Sequence, residues 1–230
     1  MRLNPFKARL VKTGLAAMVA AALSTGCATT KAPYDYTQFK QSRPSSILVL
    51  PPLNGSPDIN ATYSMLSQVT LPLAESGYYV FPVSLVDETF HQNGLNNPAE
   101  MHEVKLQKLR EIFGADAALY ITVTQYGTSY TVISSESRVS AEARLIDLRS
   151  EQVLWSGTAT ASSAEGRNSS GGLVGMLVQA VVSQIIESST NHSHRIAGIA
   201  SNRLLSAGIP NGMLYGPRSP KYQTDGNARP

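Results

Sequence analysis

The first 27 residues constrain this chain most strongly, because they end in the only cysteine among its 230 residues. Residues 1–14 carry four basic side chains and no acidic one, and an apolar run of nine residues follows at 15–23. A basic segment, a short apolar run and small residues before a cleavage point are typical of an export signal. A membrane-spanning helix needs roughly 20 apolar residues. We therefore expect residues 1–26 to be a signal peptide that is removed, rather than a retained anchor.

Cys27 indicates a lipid attachment point. The letters LSTGC at residues 23–27 resemble a bacterial lipobox, in which the cysteine is acylated and becomes the first residue of the mature chain. Gly26 fits that pattern, whereas Ser24 stands where a lipobox usually has leucine. The alternative is an ordinary secretory signal followed by an incidental cysteine. We prefer lipidation, because a lone cysteine has no disulfide or metal-site companion and several acyl chains give a firm anchor. Ala28 resembles the residue that directs lipoproteins to the outer membrane.

The charge balance of the mature chain excludes one class of partner. Four of the 19 Lys and Arg residues lie in the signal, which leaves 15 against 16 acidic residues and a formal charge of −1 for residues 27–230. A near-neutral chain offers no field that collects phosphate polymers, so we expect no nucleic acid partner. Hydrophobic residues make up 42% of the chain, enough for one domain with a real core and no disulfides.

Two polar segments flank the predicted domain. Residues 28–45 contain two prolines and no apolar period, which predicts a flexible tether. Residues 209–230 are rich in proline and glycine, and we expect them either to be disordered or to lie along a partner. The predicted divisions are a signal peptide (1–26), a lipidated tether (27–45), a single α/β periplasmic domain (46–208) and a tail (209–230).

Apolar periodicity predicts five strands and five helices in the order β-α-β-α-α-β-β-β-α-α. The strands are expected at residues 47–52, 77–83, 117–126, 131–147 and 153–161. The helices are expected from Ala61 to a stop at Gly77, and at residues 84–94, 98–113, 173–190 and 194–207. Helices between the first strands imply parallel pairing, and the later hairpins imply antiparallel pairing. The fold class is therefore α/β or α+β, with a mixed sheet of about five strands and helices packed against it.

Local signals support individual elements. Asn60 is placed to cap the helix that starts at Ala61, and Pro72 is expected to kink or shorten that helix. Gly114 is expected to end the helix before the third strand. Small or apolar side chains alternate with polar ones in residues 131–147, so one face of that strand is expected to be buried. The buried set is Val139, Ala141, Ala143 and Leu145, and Ser140, Glu142 and Arg144 face the other way.

Four blocks of sequence resemble a known family. They are ILVLPPLNGSPDINA, GYYVFPVSLVDETF, GADAALYITVTQYGTSYTVISSESRVSAEARLIDLRSEQVLWSG and LYGPRSPKYQTDG. Together they resemble a family of bacterial outer-membrane lipoproteins of unknown function, some of which are surface-antigen candidates. The resemblance implies a fold akin to the amino-terminal domain of TolB and to the periplasmic domain of the curli secretion lipoprotein CsgG. The resemblance also implies that the protein works beside other envelope lipoproteins, and it assigns no catalytic residues.

The residues themselves offer little catalytic chemistry. His192 and His194 would form half of a metal site if both imidazoles converged from an extended loop. The alternative is that both belong to a polar turn between helices. Glu103, Glu111 and Asp116 lie around one helix end, where they form an acid pair or remain solvated charges. No further ligand or catalytic motif joins these residues. We therefore predict that the chain is not an enzyme and that it has no cofactor and no metal.

One predicted helix favours interaction with other proteins. Residues 173–186 are apolar almost all round, although a surface helix needs only one apolar stripe. Either the following helix or another subunit covers the excess.

We predict a non-enzymatic assembly or accessory module of a secretion-type envelope complex. Cys27 would anchor it at the periplasmic face of the outer membrane, with other envelope lipoproteins or a second copy as partners. The alternative is a small-ligand-binding or hydrolytic domain that uses the loops at residues 54–60 and 87–92. Open α/β sheets bind ligands at the carboxyl ends of their strands, where these loops are expected.

Overall fold

A six-stranded mixed sheet forms the centre of the fold. The computed structural model describes residues 34–130, 135–165 and 192–226, and both Cys27 and the apolar segment at 173–186 lie outside these ranges. The strands are β1 (Ser46–Val49), β2 (Leu53–Asn54), β3 (Tyr79–Val80), β4 (Ala117–Tyr130), β5 (Ser135–Asp147) and β6 (Val153–Ser162). The helices are α1 (Thr37–Ser42), α2 (Ala61–Leu66), α3 (Thr70–Glu75), α4 (Val83–Gln92), α5 (Pro98–His102), α6 (Leu106–Phe113) and α7 (His192–Leu205). Within the described ranges, no helix has both the length and the apolar character that crossing a bilayer requires.

The strand order β3-β1-β4-β5-β6 confirms the predicted mixed α/β sheet. β1 pairs in parallel with β3 and with β4, and helices lie in the connections between them, as parallel crossovers require. β4, β5 and β6 pair antiparallel through two successive hairpins. The predicted alternation in β5 is confirmed as well, because Val139 and Leu145 are fully buried while Glu142 and Arg144 are exposed.

Two prolines divide the first predicted strand. The backbone N–H of Leu50 still donates to a carbonyl of β4, but Pro51 and Pro52 have no N–H with which to continue the ladder. The chain resumes pairing with β4 at the two-residue strand β2. The strand expected at residues 47–52 is therefore shorter in the structure and is followed by a second short strand.

Pro72 lies in α3, after a break that divides the next predicted helix into α2 and α3. In a continuous helix the residue at position 72 would donate its N–H to the carbonyl of Gln68, and proline has no N–H to donate. The fully buried hydroxyl of Ser201 donates to this carbonyl instead, at 3.0 Å. The break therefore docks α7 onto the α2–α3 pair.

Asn60 precedes α2 but does not cap it, so this prediction is wrong. The Asn60 backbone is already helical, and its side chain makes no capping hydrogen bond. The carboxylate of Asp58 accepts hydrogen bonds from both the backbone N–H and the side-chain amide of Asn60, at 2.9 and 3.0 Å. The side chain that the sequence assigned to the helix is thus held by the preceding loop.

The single helix predicted at residues 98–113 is also wrong, because the chain forms α5 and α6 there. His102 ends α5, lies 2.9 Å through Nε2 from the Pro51 carbonyl and packs edge-on against Tyr120. This contact with the end of β1 competes with a continuous helix. Burial lowers the pKa of His102, although the bond to Pro51 opposes that shift. The predicted end of α6 is confirmed, since Gly114 adopts a left-handed φ of 67°.

Helices cover the two faces of the sheet unequally. Residues of α2, α3 and α7 bury the larger core, which includes Trp155 of β6. Residues of α4, α5 and α6 bury the smaller core against β1 and β4. The second face of β5 and β6 carries exposed polar side chains, among them Glu142, Arg144, Ser156 and Thr158.

Both predicted flanks contribute to the fold. α1 lies inside the predicted tether and buries Phe39, and the predicted tail buries Met213 and Leu214. The expectation of a flexible tether is therefore wrong for residues 34–45, and that of a disordered tail is wrong for residues 209–226. Composition did not predict this order, because it gives the number of apolar residues and not their positions. A few apolar residues that reach the core are enough to anchor a segment.

Two glycines allow the tail to approach the domain closely. The backbone N–H of Gly216 donates to the carbonyl of Ser76 at 2.8 Å, and that of Arg218 donates to the carbonyl of Gly77 at 3.1 Å. A Cβ on Gly216 would lie 2.5 Å from the Gly77 carbonyl oxygen, which is too close for any other residue. We call residues 208–226 the carboxyl-terminal segment.

Candidate functional site

A pocket of about 210 Å³ lies between α1 and the carboxyl-terminal segment. Its apolar walls include the rings of Tyr78, Tyr215 and Tyr222. Three charged side chains line the same space, and they are Lys40, Arg43 and Asp225. The pocket therefore combines aromatic walls with both signs of charge.

Local structure holds each wall in place. α1 ends at Arg43, which adopts a left-handed φ of 50° and donates its backbone N–H to the Phe39 carbonyl. Lys40 donates through Nζ to the carbonyl of Gly226 at 2.8 Å, and this bond joins α1 to the carboxyl-terminal segment. The hydroxyl of Tyr78 donates to the Leu214 carbonyl at 2.5 Å. Hydrogen bonds from Lys40 and Tyr78 thus hold the carboxyl-terminal segment beside α1.

Only one of the two oxygens of the Asp225 carboxylate accepts a hydrogen bond from the protein. Its Oδ2 accepts the backbone N–H of Tyr215 at 2.9 Å. Its Oδ1 is buried and has no hydrogen-bond partner, a situation shared in the described residues only by Oδ1 of Asp87. Asp87 Oδ1 at least lies 3.5 Å from Nε2 of His91. Leaving a buried acceptor without a donor costs roughly 1–3 kcal/mol, and more when it is charged, so Asp225 requires an explanation.

Two tyrosine hydroxyls near Asp225 act as fixed donors. Burial, together with the negative charge of Asp225, raises the pKa of Tyr36 to about 12. The same two causes raise the pKa of Tyr78. Both hydroxyls remain protonated at neutral pH and donate to carbonyls of the carboxyl-terminal segment, Tyr36 to Gly212 and Tyr78 to Leu214.

Asp116 was one of three acids expected near a helix end, and it serves a structural role. Its Oδ2 accepts from the backbone N–H and the hydroxyl of both Ser45 and Ser46, at 2.6–3.1 Å. Its Oδ1 accepts from the guanidinium of Arg149. Burial opposes ionisation, but these hydrogen bonds and the Arg149 charge hold the pKa of Asp116 below its usual range. Glu111 pairs with Lys108 at 3.2 Å and Glu103 is exposed, so the structure forms no acid pair.

Asp147 completes this structural group. Its Oδ1 accepts the backbone N–H groups of Arg149 and Ser150, both at 2.7 Å, and these bonds fix the turn between β5 and β6. Its Oδ2 accepts the hydroxyl of Ser42 at the end of α1. Burial again opposes ionisation, and the hydrogen bonds again lower the pKa of Asp147. Together Asp116 and Asp147, which we call the aspartate clamp, join α1, β1, β4 and the β5–β6 turn.

The predicted histidine pair does not converge. His192 and His194 both lie in the first turn of α7. Nδ1 of His192 lies 2.8 Å from the Ser137 hydroxyl, while His194 contacts Ser64 and Gln68 on α2 and the turn after it. Across the residues that the structure describes, no group of three His, Cys, Asp or Glu side chains is arranged to hold a metal ion.

His194 instead forms a pair that the sequence did not reveal. Its Nδ1 lies 2.8 Å from Oγ of Ser64, and its Nε2 lies 2.7 Å from the side-chain amide of Gln68. The hydroxyl of Tyr126 donates to the same Ser64 Oγ at 2.8 Å. A serine beside a histidine is the arrangement that activates a nucleophile, but here an amide faces the far ring nitrogen, where hydrolases usually place a carboxylate. No sequence motif marks these residues, because 130 positions separate Ser64 from His194.

The two loops proposed as ligand sites differ in the structure. Residues 54–60 form a loop, closed by Asn54 Oδ1, which accepts from both the N–H and the hydroxyl of Ser56. That loop borders an open polar groove of about 690 Å³ beside β4 and β5. Residues 87–92 belong to α4, so the expectation of a ligand-binding loop there is wrong. The apolar contacts of Val86 and Phe90 with the smaller core hold this segment helical.

Comparison with known proteins finds two similar lipoproteins and a more distant structural match. The chain is 53% identical over 207 residues to a lipoprotein of Neisseria meningitidis serogroup B, NMB1124/NMB1162, and the match covers 89% of this chain and 94% of that protein. The crystal structure of lipoprotein GNA1162 from Neisseria meningitidis matches with a TM-score of 0.52 at 56% identity, over 63% of this chain and 100% of that chain. The LpoB C-terminal domain from Salmonella enterica matches with a TM-score of 0.37 at 18% identity, over 50% of this chain and 81% of that chain.

A family model covers most of the described domain. The model described as "Putative lipoprotein GNA1162-like" matches residues 34–218. This range runs from the first described residue, through the whole sheet and α7, into the carboxyl-terminal segment. The lipoprotein family inferred from the four sequence blocks is thereby confirmed, and this chain belongs to the GNA1162-like lipoprotein family.

Proposed function

We propose that the protein is anchored in the outer membrane through lipid on Cys27. We propose further that its α/β domain serves, on the periplasmic side, as a non-enzymatic assembly or accessory module of an envelope complex. The observation that carries this proposal is membership in a lipoprotein family, combined with a lone cysteine just ahead of the folded domain. Six residues separate Cys27 from Tyr34, and an extended chain of that length spans no more than about 25 Å. A lipid on Cys27 would therefore keep the domain close to the membrane.

The use of polar side chains within the domain supports an accessory role. Asp116 and Asp147 accept hydrogen bonds that join secondary-structure elements, and His102 holds α5 to the end of β1. Catalytic groups must instead be within reach of a substrate, with a pKa matched to proton transfer. These buried or half-buried groups stabilise the domain and leave its surface for partners.

Lipidation and location are tested in cells that make the full precursor. Radiolabelled palmitate should enter the wild-type protein, and globomycin should cause the unprocessed precursor to accumulate. Cys27→Ser should abolish both effects, while Ser24→Leu, which restores the usual lipobox residue, should retain them. Density-gradient fractionation should place the protein with outer-membrane markers. An unlabelled protein in the soluble fraction would contradict the proposal.

The accessory role requires a separate test. The full protein is cross-linked in intact envelopes, extracted in mild detergent and identified together with whatever is bound to it. We expect other envelope lipoproteins or further copies of the same chain. Recovery of the protein alone and monomeric, despite efficient cross-linking, would contradict an assembly role without affecting the anchor.

The Ser64–His194 contact supports a second candidate function, hydrolysis. A fluorophosphonate probe reacts with a serine that a neighbouring base activates. The accessory role predicts no labelling of the wild-type protein. Labelling that disappears in Ser64→Ala and persists in Ser67→Ala, a change at an exposed serine of the adjoining turn, would replace the accessory role with a hydrolytic one.

A further inference from the structure

We infer that the surface formed by α1 and the carboxyl-terminal segment docks on the anionic phospholipid headgroups of the membrane that holds the anchor. Four exposed cations define this surface, which we call the basic face: Lys40, Arg43, Arg218 and Lys221. The docking rests on the proposed function, because lipid on Cys27 is what would bring a bilayer within reach of the domain.

Charge is distributed unequally between the flanks of the chain and its middle. Residues 27–45 and 208–230 carry six Lys and Arg residues against two acidic ones, a formal charge of +4. Residues 46–207 carry nine against 14, a formal charge of −5. The near-neutral total of the mature chain therefore combines a basic part with an acidic part. An anionic surface attracts the first and repels the second, so it orients the domain as well as binding it.

The fold brings the two basic flanks together. Lys40 donates through Nζ to the carbonyl of Gly226 at 2.8 Å. Lys40 and Arg43 line the pocket between α1 and the carboxyl-terminal segment, and Tyr215 lines it too. Nζ of Lys221 lies 5.5 Å from the centre of the Tyr215 ring. Cations from both ends of the chain thus share one surface.

Acidic side chains do not neutralise the basic face as they do the middle of the chain. None of the ion pairs found among the described residues includes Arg43, Arg218 or Lys221. In the middle of the chain, by contrast, Arg203 pairs with Glu165 at 2.6 Å. The three exposed cations therefore remain available to an external anion.

The described chain begins beside the basic face. Tyr34 donates its backbone N–H to Oδ1 of Asn211 at 3.1 Å, three residues before α1. A lipid on Cys27 would hold Tyr34 within about 25 Å of the bilayer. Charges attract each other over only about 8 Å at physiological salt, so a surface that is kept close is favoured over an acidic protein in solution. Tyr215 and Tyr222 are partly exposed here, and tyrosine suits the boundary between membrane and water.

Vesicle flotation measures the docking without an anchor. The protein is the predicted mature chain, residues 27–230 with Cys27→Ser, which includes every residue that the structure describes. The vesicles contain phosphatidylcholine alone or phosphatidylcholine with an equal part of phosphatidylglycerol. We expect binding to be at least about tenfold tighter with phosphatidylglycerol at about 0.05 M salt, and this preference to fall at about 0.5 M salt. Equal binding to both vesicles, or a preference that salt does not reduce, would overturn the inference.

Two double variants of equal net charge locate the contact. Arg218→Gln with Lys221→Gln should weaken binding to phosphatidylglycerol vesicles by about tenfold or more, since each basic side chain near an anionic surface contributes about fivefold. Lys105→Gln with Lys108→Gln removes two exposed charges at the start of α6 and should weaken binding by less than about twofold. Equal weakening in both would show that only total charge matters and would overturn the inference.

Thermal melting of the variants monitors folding. If the basic-face double variant melts at a lower temperature than wild type, Lys221→Gln alone should still weaken binding by about fivefold, and unchanged binding would contradict the contact. Polyglutamate, a soluble acidic polymer, tests an acidic protein as the partner. Tighter binding to polyglutamate than to the vesicles would overturn docking on lipid.

The flotation result is independent of the fate of Cys27. Because the chain in this experiment carries no lipid, a preference for phosphatidylglycerol would stand even if Cys27 of the wild-type protein proved unmodified. A lipidated wild-type protein whose lipid-free chain shows no such preference would retain the anchor and lose the basic face.

Discussion

Asp116 and Asp225 are both half-buried aspartates close to α1, yet they differ in how the protein uses them. The carboxylate of Asp116 accepts five hydrogen bonds, from Ser45, Ser46 and Arg149, and the pKa of Asp116 is lowered. The carboxylate of Asp225 accepts one and leaves a buried oxygen without a donor. A fully bonded carboxylate stabilises the fold that surrounds it. A buried carboxylate oxygen that has no donor lowers the stability of the folded chain.

Asp116→Asn should have the largest effect of the changes that test this comparison. The amide keeps the size of the side chain but removes its charge and places N–H groups where acceptors are needed. Because hydrogen bonds to charged groups contribute about 1.5–3 kcal/mol, we expect the free energy of unfolding to fall by about 3 kcal/mol. Urea denaturation at pH 7 measures this change. Glu103→Gln should shift stability by less than about 0.5 kcal/mol, as an exposed substitution does. An equal shift in both variants would refute the structural role of Asp116.

Tyr78→Phe should have the next largest effect, because it removes one of the buried bonds that hold the carboxyl-terminal segment. The buried hydroxyl donates to the Leu214 carbonyl, which would be left without this donor. We expect a loss of about 1–2 kcal/mol in the free energy of unfolding. Tyr120→Phe is the matched control: Tyr120 is also buried, but no hydrogen bond from its hydroxyl is seen among the described residues. A larger loss in Tyr120→Phe would contradict the docking of the segment.

Acidification should weaken the aspartate clamp by a smaller amount. Asp116 and Asp147 have lowered pKa values in the folded state. Their contribution is therefore complete above the usual aspartate pKa of about 3.9 and is lost as the pH falls through the lower folded values. Urea denaturation should show a steeper loss of stability below about pH 4 in wild type than in Asp116→Asn. Parallel curves for the two proteins would show that Asp116 is not ionised in the clamp.

Asp225→Asn should have the smallest effect on the free chain, and one of opposite sign. An amide needs less solvation than a carboxylate, and its oxygen can still accept the N–H of Tyr215. We expect the free energy of unfolding at pH 7 to stay constant or to rise by up to about 1 kcal/mol. Thermal melting without added ligand checks this expectation. A clear drop in Tm would show that the Asp225 carboxylate stabilises the fold, as that of Asp116 does, and would contradict the contrast between them.

Much of the sheet was predictable because its signals are local. The alternation around Val139 and Leu145 and the helix stop at Gly114 each depend on residues close in sequence. These patterns predicted the strand types and the mixed sheet. The strand broken by prolines was predicted only in part, since the sequence marked the stop but not the resumption at β2.

The candidate site escaped prediction because its contacts are distant in sequence. Lys40 and Gly226 lie 186 positions apart, and Ser201 reaches the carbonyl of Gln68 from 133 positions away. Composition marked both flanks as polar and therefore flexible, although Phe39 and Leu214 anchor them. Only the assembled fold shows that Oδ1 of Asp225 lacks a donor.

The most direct test of the proposed function is mass spectrometry of the mature protein, purified in detergent from membranes that contain the full precursor. We predict that the mature chain begins at Cys27 and that its mass exceeds that of residues 27–230 by a diacylglyceryl group on sulfur and an acyl group on the terminal nitrogen. An unmodified thiol at Cys27, or cleavage downstream of it, would contradict a lipid-anchored envelope module.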